Sequence, residues 1–185
     1  MWHAIERGTD PPGPGRPTRR RGRIDFYGRA ALQLGYDPPA PEFALSQDID
    51  AVFWLGQAEA LLRGTNFWTA IDAVNRELER DGLFISPFFE EDQVILTPEW
   101  REQRVALPGS WTQLRLFRLG DGDLFLSKLM RDDPQDQFDA RFIWKRAAWS
   151  EEEARDWIRR ARIPRASEIH EEFEKATVRL FARGL

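Results

Sequence analysis

Apolar residues change their spacing several times along the chain, and each change marks an element. Ile24, Phe26 and Tyr27 form a short run ending at Gly28, which predicts a strand, and Ala30 to Leu34 predict the start of a helix. Three prolines between Tyr36 and Pro41 impose a loop. The stretch from Asp48 to Trp54 reads as a buried strand. Alternation puts Asp48, Asp50, Val52 and Trp54 on one face and Ile49, Ala51 and Phe53 on the other. Phe67, Ile71, Val74 and Leu78 recur at helical spacing, and Gly82 stops that helix. Leu83 to Ile85, Val94 to Leu96, Arg104 to Leu107 and Leu114 to Leu119 predict further strands, with Glu90, Glu91 and Asp92 as a charged turn between the first two.

The last third is helical. One short helix is predicted over Asp123 to Met130. Asp133 followed by Pro134 is an N-cap with proline in the first turn, opening a helix toward Ala147. Ser150 with Glu153 forms a capping box for the next helix, which ends before Pro164. Ile169, Phe173, Ala176 and Leu180 line the last one. The expected fold is α/β (α+β): a mixed sheet flanked by helices, with a helical C-terminal region. The expected division is an Arg/Pro/Gly-rich leader over 1–23, a body over 24–147, and C-terminal helices over 148–185 packed on the same domain.

Composition narrows the chemistry. The chain has 185 residues, 42% hydrophobic, enough for one domain with a sizeable core. No apolar run is long enough to span a bilayer, and Met1 is followed by Trp2, His3 and charged residues rather than a secretory segment. Cysteine is absent, which excludes disulfides, thiolate zinc sites and cysteine nucleophiles and fits a cytoplasmic protein. The two histidines, His3 and His170, lie at opposite ends of the chain, which argues against a multi-histidine metal site and a Ser–His triad. A metal held here takes carboxylate ligands, which suits Mg²⁺ or Mn²⁺. Net charge is −4, but Arg16, Arg19, Arg20, Arg21 and Arg23 cluster near the start. They read either as a solvated tail or as an arm contacting RNA or DNA phosphates; the lack of interleaved aromatics weighs against the arm.

The residues that carry chemistry are the paired aspartates. Side chains two apart on a strand project the same way, with Cβ atoms roughly 6–7 Å apart, so Asp48 and Asp50 can serve one metal site. Two ionised carboxylates on an apolar strand repel each other unless a cation joins them. Gly28 sits where a strand turns into a helix whose first N–H groups favour anions.

This order of motifs resembles the polymerase-β-like nucleotidyltransferase superfamily, in particular its small bacterial members, which include toxins of abortive-infection toxin–antitoxin systems. Tyr27-Gly28-Arg29-Ala30-Ala31-Leu32 is similar to the family's glycine turn, and Asp48-Ile49-Asp50 to its Asp-x-Asp strand. Leu126-Ser127-Lys128-Leu129-Met130-Arg131 followed by Asp136-Gln137-Phe138-Asp139 is similar to its later lysine and paired-aspartate helices. The resemblance runs in order over residues 24–147. It implies that Asp48 and Asp50 ligate Mg²⁺ or Mn²⁺, that Gly28 lies against a nucleoside triphosphate, that Lys128 neutralises phosphate charge, and that Asp136 or Asp139 anchors Lys128 and Arg131 or supports catalysis. Arg29 stands where relatives carry Gly or Ser, either crowding the triphosphate or contacting it. The third carboxylate of active relatives has no counterpart in Leu114–Phe117, and Glu99 and Glu102 lie near a Trp-Arg turn.

Beside this stands a structural reading: Lys128, Arg131, Asp136 and Asp139 as an ion-pair cluster joining two helices. The functional expectation is transfer of a nucleotide from a triphosphate to RNA, a protein or a small molecule, with a cognate antitoxin as a candidate partner. The alternative is a catalytically degenerate module acting through a partner protein, and a third is a nucleic-acid binder using the arginine tail.

Overall fold

The computed structural model describes residues 22–36, 48–63, 65–85, 89–109 and 114–182. Most of the expected leader and the proline loop after Tyr36 lie outside the described residues.

The run around Ile24 becomes β1 (Gly22–Tyr27), the middle strand of a six-stranded mixed sheet. It begins two residues before the apolar run, so Arg23 belongs to the sheet rather than to a tail. On one side β1 pairs antiparallel with β2 (Asp48–Phe53), setting Tyr27 opposite Asp50 and Asp25 opposite Val52. On the other it pairs parallel with β6 (Leu114–Arg118), which pairs in turn with the two-residue β5 (Val105–Ala106). The outer edge of β2 carries β3 (Phe84–Ile85) and then β4 (Phe89–Glu90), both parallel to it.

Helix α1 (Gly28–Leu34) follows β1 directly and packs on β1 and β2. Helices α2 (Gln57–Leu62) and α3 (Thr65–Leu78) form a pair, and α3 lies against β3. The helical end comprises α4 (Asp121–Ser127), α5 (Pro134–Arg146), α6 (Glu151–Arg159) and α7 (Ser167–Ala182). The α4 helix packs on α5 and α6, and α5 on α7. Among the described residues, no helix is long and apolar enough to cross a membrane.

The capping residues set these helices where the sequence expects them. Asp133 accepts hydrogen bonds from the backbone N–H groups of Gln135 (2.8 Å) and Asp136 (3.3 Å), with Pro134 at the first helical position. Ser150 and Glu153 close a capping box. Gly122 lies so close to Trp157 that a Cβ there would meet the indole ring at 2.3 Å, which lets α4 sink against α6.

One local expectation needs correction, and a second gains detail. Val94, Ile95 and Leu96 are fully buried but form no strand ladder; their one bridge joins Leu96 to Arg162. A continuous apolar run suits a buried strand and a core-threading loop equally, and here the run fills space between elements. In the expected charged turn, Glu90 ends β4 and Glu91 is buried, accepting hydrogen bonds from the Leu55 N–H, the Trp100 indole and Arg101.

Asp123 fastens the core-threading segment to α4. Its Oδ1 accepts from the Thr97 N–H (2.6 Å) and hydroxyl (3.0 Å), while Oδ2 is buried without a hydrogen-bond partner among the described residues. Burial pushes this carboxyl up to about 6, against the opposing pull of the Thr97 bonds. An aspartate in the unfolded chain ionises near pH 4, so from about pH 4 to 6 the folded chain keeps a proton that the unfolded chain has lost. Stability therefore falls as pH rises through that window, by about 3 kcal/mol from this group. Asp123→Asn does not ionise. Measured by urea unfolding, its stability relative to the wild type should improve by up to about 3 kcal/mol between pH 4 and pH 7; a difference independent of pH would contradict this account.

Candidate functional site

A cleft of about 560 Å³ opens between the sheet and the α4–α5 corner. Tyr27, Gly28, Asp50, Phe84 and Phe89 line it from the sheet side, and Ser127, Lys128, Met130, Arg131 and Asp136 from the helical side, with Ile169 of α7. Residues far apart in the chain thus converge because β1 ends, and α1 begins, beside the antiparallel partner strand that carries Asp50.

Gly28 makes that convergence possible. Its φ is +68°, and a Cβ there would stand 2.5 Å from Asp50 Oδ2. Only glycine combines the left-handed backbone with so close an approach by a carboxylate. The Asp48 backbone pairs with Phe84 at the start of β2, and its side chain lies outside the described residues.

Opposite Asp50 runs a ladder of alternating charge. Asp136 and Asp139, three residues apart on α5, share one helix face. Lys128, at the end of α4, places its ammonium 3.2 Å from Asp136 Oδ1 and 2.8 Å from Asp139 Oδ2. Arg131 closes on Asp136 Oδ2 through Nε (2.9 Å) and Nη2 (2.7 Å). Arg29 donates to both oxygens of Asp139, each at 3.3 Å. The ladder is therefore Arg29–Asp139–Lys128–Asp136–Arg131. Burial works against the Arg131 charge, but Asp136, Asp133 and Asp50 outweigh it and hold its pKa above the ordinary arginine value.

The sequence-predicted residues thus separate into two groups. Gly28, Asp50, Lys128, Arg131 and Asp136 meet in the cleft. Asp139 is completely buried and Arg29 is bonded to it, so these two stand behind the residues that line the cleft, with Asp139 bracing Lys128. The arginine in the glycine turn is directed onto α5. A second hollow of about 620 Å³, between α3 and β3, carries Asp72, Arg76 and Glu79 on an exposed helix face where water solvates them, which makes it the weaker candidate.

One charged cluster carries no motif of its own. On the strand face shared with Tyr27, the buried Asp25 lies 3.7 Å from Arg104, and Arg23, Arg101 and Arg104 pack over Trp54 at 4.6, 4.5 and 5.5 Å. Burial pushes the Asp25 carboxyl up to about 6, although Arg104 and Arg23 oppose it. The sequence does hold a signal for it: Arg23, Asp25 and Tyr27 alternate with Ile24 and Phe26, the same pattern of charge in an apolar strand that marks Asp48 and Asp50.

Asp139→Ala leaves Lys128 and Arg29 inside the fold without a shared carboxylate, and should lower the unfolding free energy by about 3–5 kcal/mol in urea titrations. A loss under about 1 kcal/mol would mean that the ladder carries little of the α4–α5 corner. Gly28→Ala should cost about 1–2 kcal/mol from the backbone alone; thermal melting reads it, and an unchanged midpoint would refute the demand for glycine.

No family model matches the chain, and neither does any curated protein or solved structure.

Proposed function

We propose that the cleft binds a nucleoside triphosphate with Mg²⁺ or Mn²⁺ and transfers its nucleotide to an acceptor hydroxyl, in the manner of a polymerase-β-like nucleotidyltransferase. The observation that supports this is the meeting, in one cleft, of the glycine turn, the Asp-x-Asp strand, and the lysine and paired-aspartate helices. Those are the segments on which the sequence resemblance rests.

Two carboxylates, with none from the flanking strand β6, suit a cation that brings phosphate oxygens and water as its other ligands. Among the described residues, no three His, Asp or Glu side chains gather as a metal site. Magnesium ordinarily keeps several waters and takes one or two protein carboxylates plus phosphate oxygens. Asp48 and Asp50 would hold it, and it would supply charge neutralisation at the phosphates. The chain's own residues position and balance charge. Two N–H donors of Lys128 face Asp136 and Asp139, which leaves the ammonium's third for a phosphate oxygen. Arg131, at the cleft lip, turns one edge of its guanidinium to Asp136 and adds positive charge beside the same oxygens. In the transfer, the acceptor oxygen bonds to the α-phosphorus, the bond from that phosphorus to the bridging oxygen breaks, pyrophosphate departs with the electron pair, and the hydroxyl proton is released to solvent. The acceptor hydroxyl belongs to RNA, a protein or a small molecule.

A second reading, a non-catalytic nucleotidyltransferase-like module that works through a partner protein, is favoured by β6, the strand beside β1, which carries no carboxylate over Leu114–Arg118. Calorimetry with nucleoside triphosphates and Mg²⁺ or Mn²⁺, followed by incubation with triphosphates labelled at the α-phosphate and total cell RNA and protein, distinguishes the two. The expected result is metal-dependent binding and transfer of label, both lost in Asp48→Asn/Asp50→Asn while the fold persists. Binding without transfer favours the module, and no binding by the wild type overturns the nucleotide reading.

A further inference from the structure

The nucleotide reading accounts for the charged residues of the cleft but not for its aromatic wall. Phe84, Phe89 and Tyr27 all line it on the sheet side. Register places Tyr27 opposite Asp50, Phe89 beside Val52 and Phe84 beside Asp48, so the three rings arise along one strand face. Tyr27 and Phe89 meet edge to face, with centroids 5.9 Å apart. Phe84 differs from both. It is 46% exposed, and among the described residues no other aromatic ring packs on it.

An exposed phenylalanine on a two-residue edge strand would ordinarily be loosely held. Here its strand is fixed from outside. Asn75 of α3 accepts from the Ile85 N–H (2.7 Å) and donates to the Ile85 carbonyl (3.1 Å), bonding the backbone as a further strand would. The strand that carries Phe84 is therefore anchored on two sides, by β2 and, at Ile85, by Asn75, while Phe84 itself lines both the cleft and the hollow beside α3. Cations stand on the helical side and a preorganised aromatic face on the sheet side. That division matches a ligand with an anionic end and a flat, apolar end.

Building on the nucleotide reading, we propose that Phe84 is the stacking platform for the nucleobase, with Phe89 and Tyr27 completing the apolar wall, and that the site prefers purine over pyrimidine nucleotides. Every base presents a π-face to such a platform, so discrimination follows stacking area rather than a hydrogen-bond pattern. ATP and GTP therefore bind alike, and both bind more tightly than CTP and UTP.

The test compares the wild type, Phe84→Ala and Phe84→Trp in calorimetric titrations with ATP, GTP, CTP, UTP and inorganic tripolyphosphate, all with Mg²⁺, with thermal melting as a control on folding. In the wild type, ATP should bind more tightly than tripolyphosphate. Phe84→Ala should weaken ATP and GTP roughly tenfold and leave tripolyphosphate unchanged, and Phe84→Trp should retain the advantage of the purines. Equal weakening of ATP and tripolyphosphate by Phe84→Ala, or no weakening of either, overturns the platform while leaving the nucleotide reading standing. A wild type that binds tripolyphosphate as tightly as ATP overturns the platform as well. A wild type that binds none of the five ligands overturns both.

Discussion

The α4–α5 corner is organised around one buried ammonium. Lys128 is almost wholly removed from water, and a charge in that position is costly unless opposite charges surround it. Two carboxylates from the same face of α5 meet it, and each is held in turn by an arginine, one from α1 and one from the corner itself. Removing any rung leaves a neighbour unmatched. The ladder therefore fixes where α4 stops, how α5 departs from it, and how both sit against the first turn of α1. The cleft exists because that corner is held at a set distance from the Asp50 strand.

A geometric constraint on the opposite wall complements this electrostatic one. Gly28 lies under the Asp50 carboxylate with a left-handed backbone, and the next residue, Arg29, turns away to Asp139. The sequence leaves two roles open for Arg29, crowding a phosphate or contacting it. Its pairing explains how a long cation can follow the glycine: the side chain is drawn behind the wall, where it counters a carboxylate that Lys128 alone would leave with an excess of negative charge. An arginine in the turn is thus compatible with an open cleft.

Much of this is legible in the chain because the governing signals are local. The apolar run interrupted by aspartates marks the strand that carries Asp50, capping chemistry sets the starts of α5 and α6, and the spacing of Asp136 and Asp139 puts them on one helix face. The pairing of Lys128 and Arg131 with those aspartates is the ion-pair cluster that the sequence suggests. What the sequence hides depends on partners distant along the chain. Glu91 reads only as part of a charged turn, because its donors come from Leu55, Trp100 and Arg101. Val94–Leu96 reads as a strand because an apolar run says nothing about whether its backbone finds a ladder. The two-residue strand β4 is too short to show any period, and Asn75 carries no mark of its backbone-binding role.

Counting charge in the cleft gives the strongest argument about its ligand. Among the described residues that line it, Lys128 and Arg131 supply two positive charges and Asp50 and Asp136 two negative ones, while Arg29 offsets Asp139 behind the wall. The described site is therefore already balanced and has no surplus positive charge with which to attract a polyphosphate. On the nucleotide reading, the negative charge of a triphosphate has to arrive largely neutralised. A divalent cation bound to the phosphates would do this, and Asp50 would help to hold it. Affinity for the phosphate end is then expected to depend on the metal, and affinity for the other end on the uncharged ring of Phe84, so the two halves of the site answer to different physical forces and can be separated by experiment.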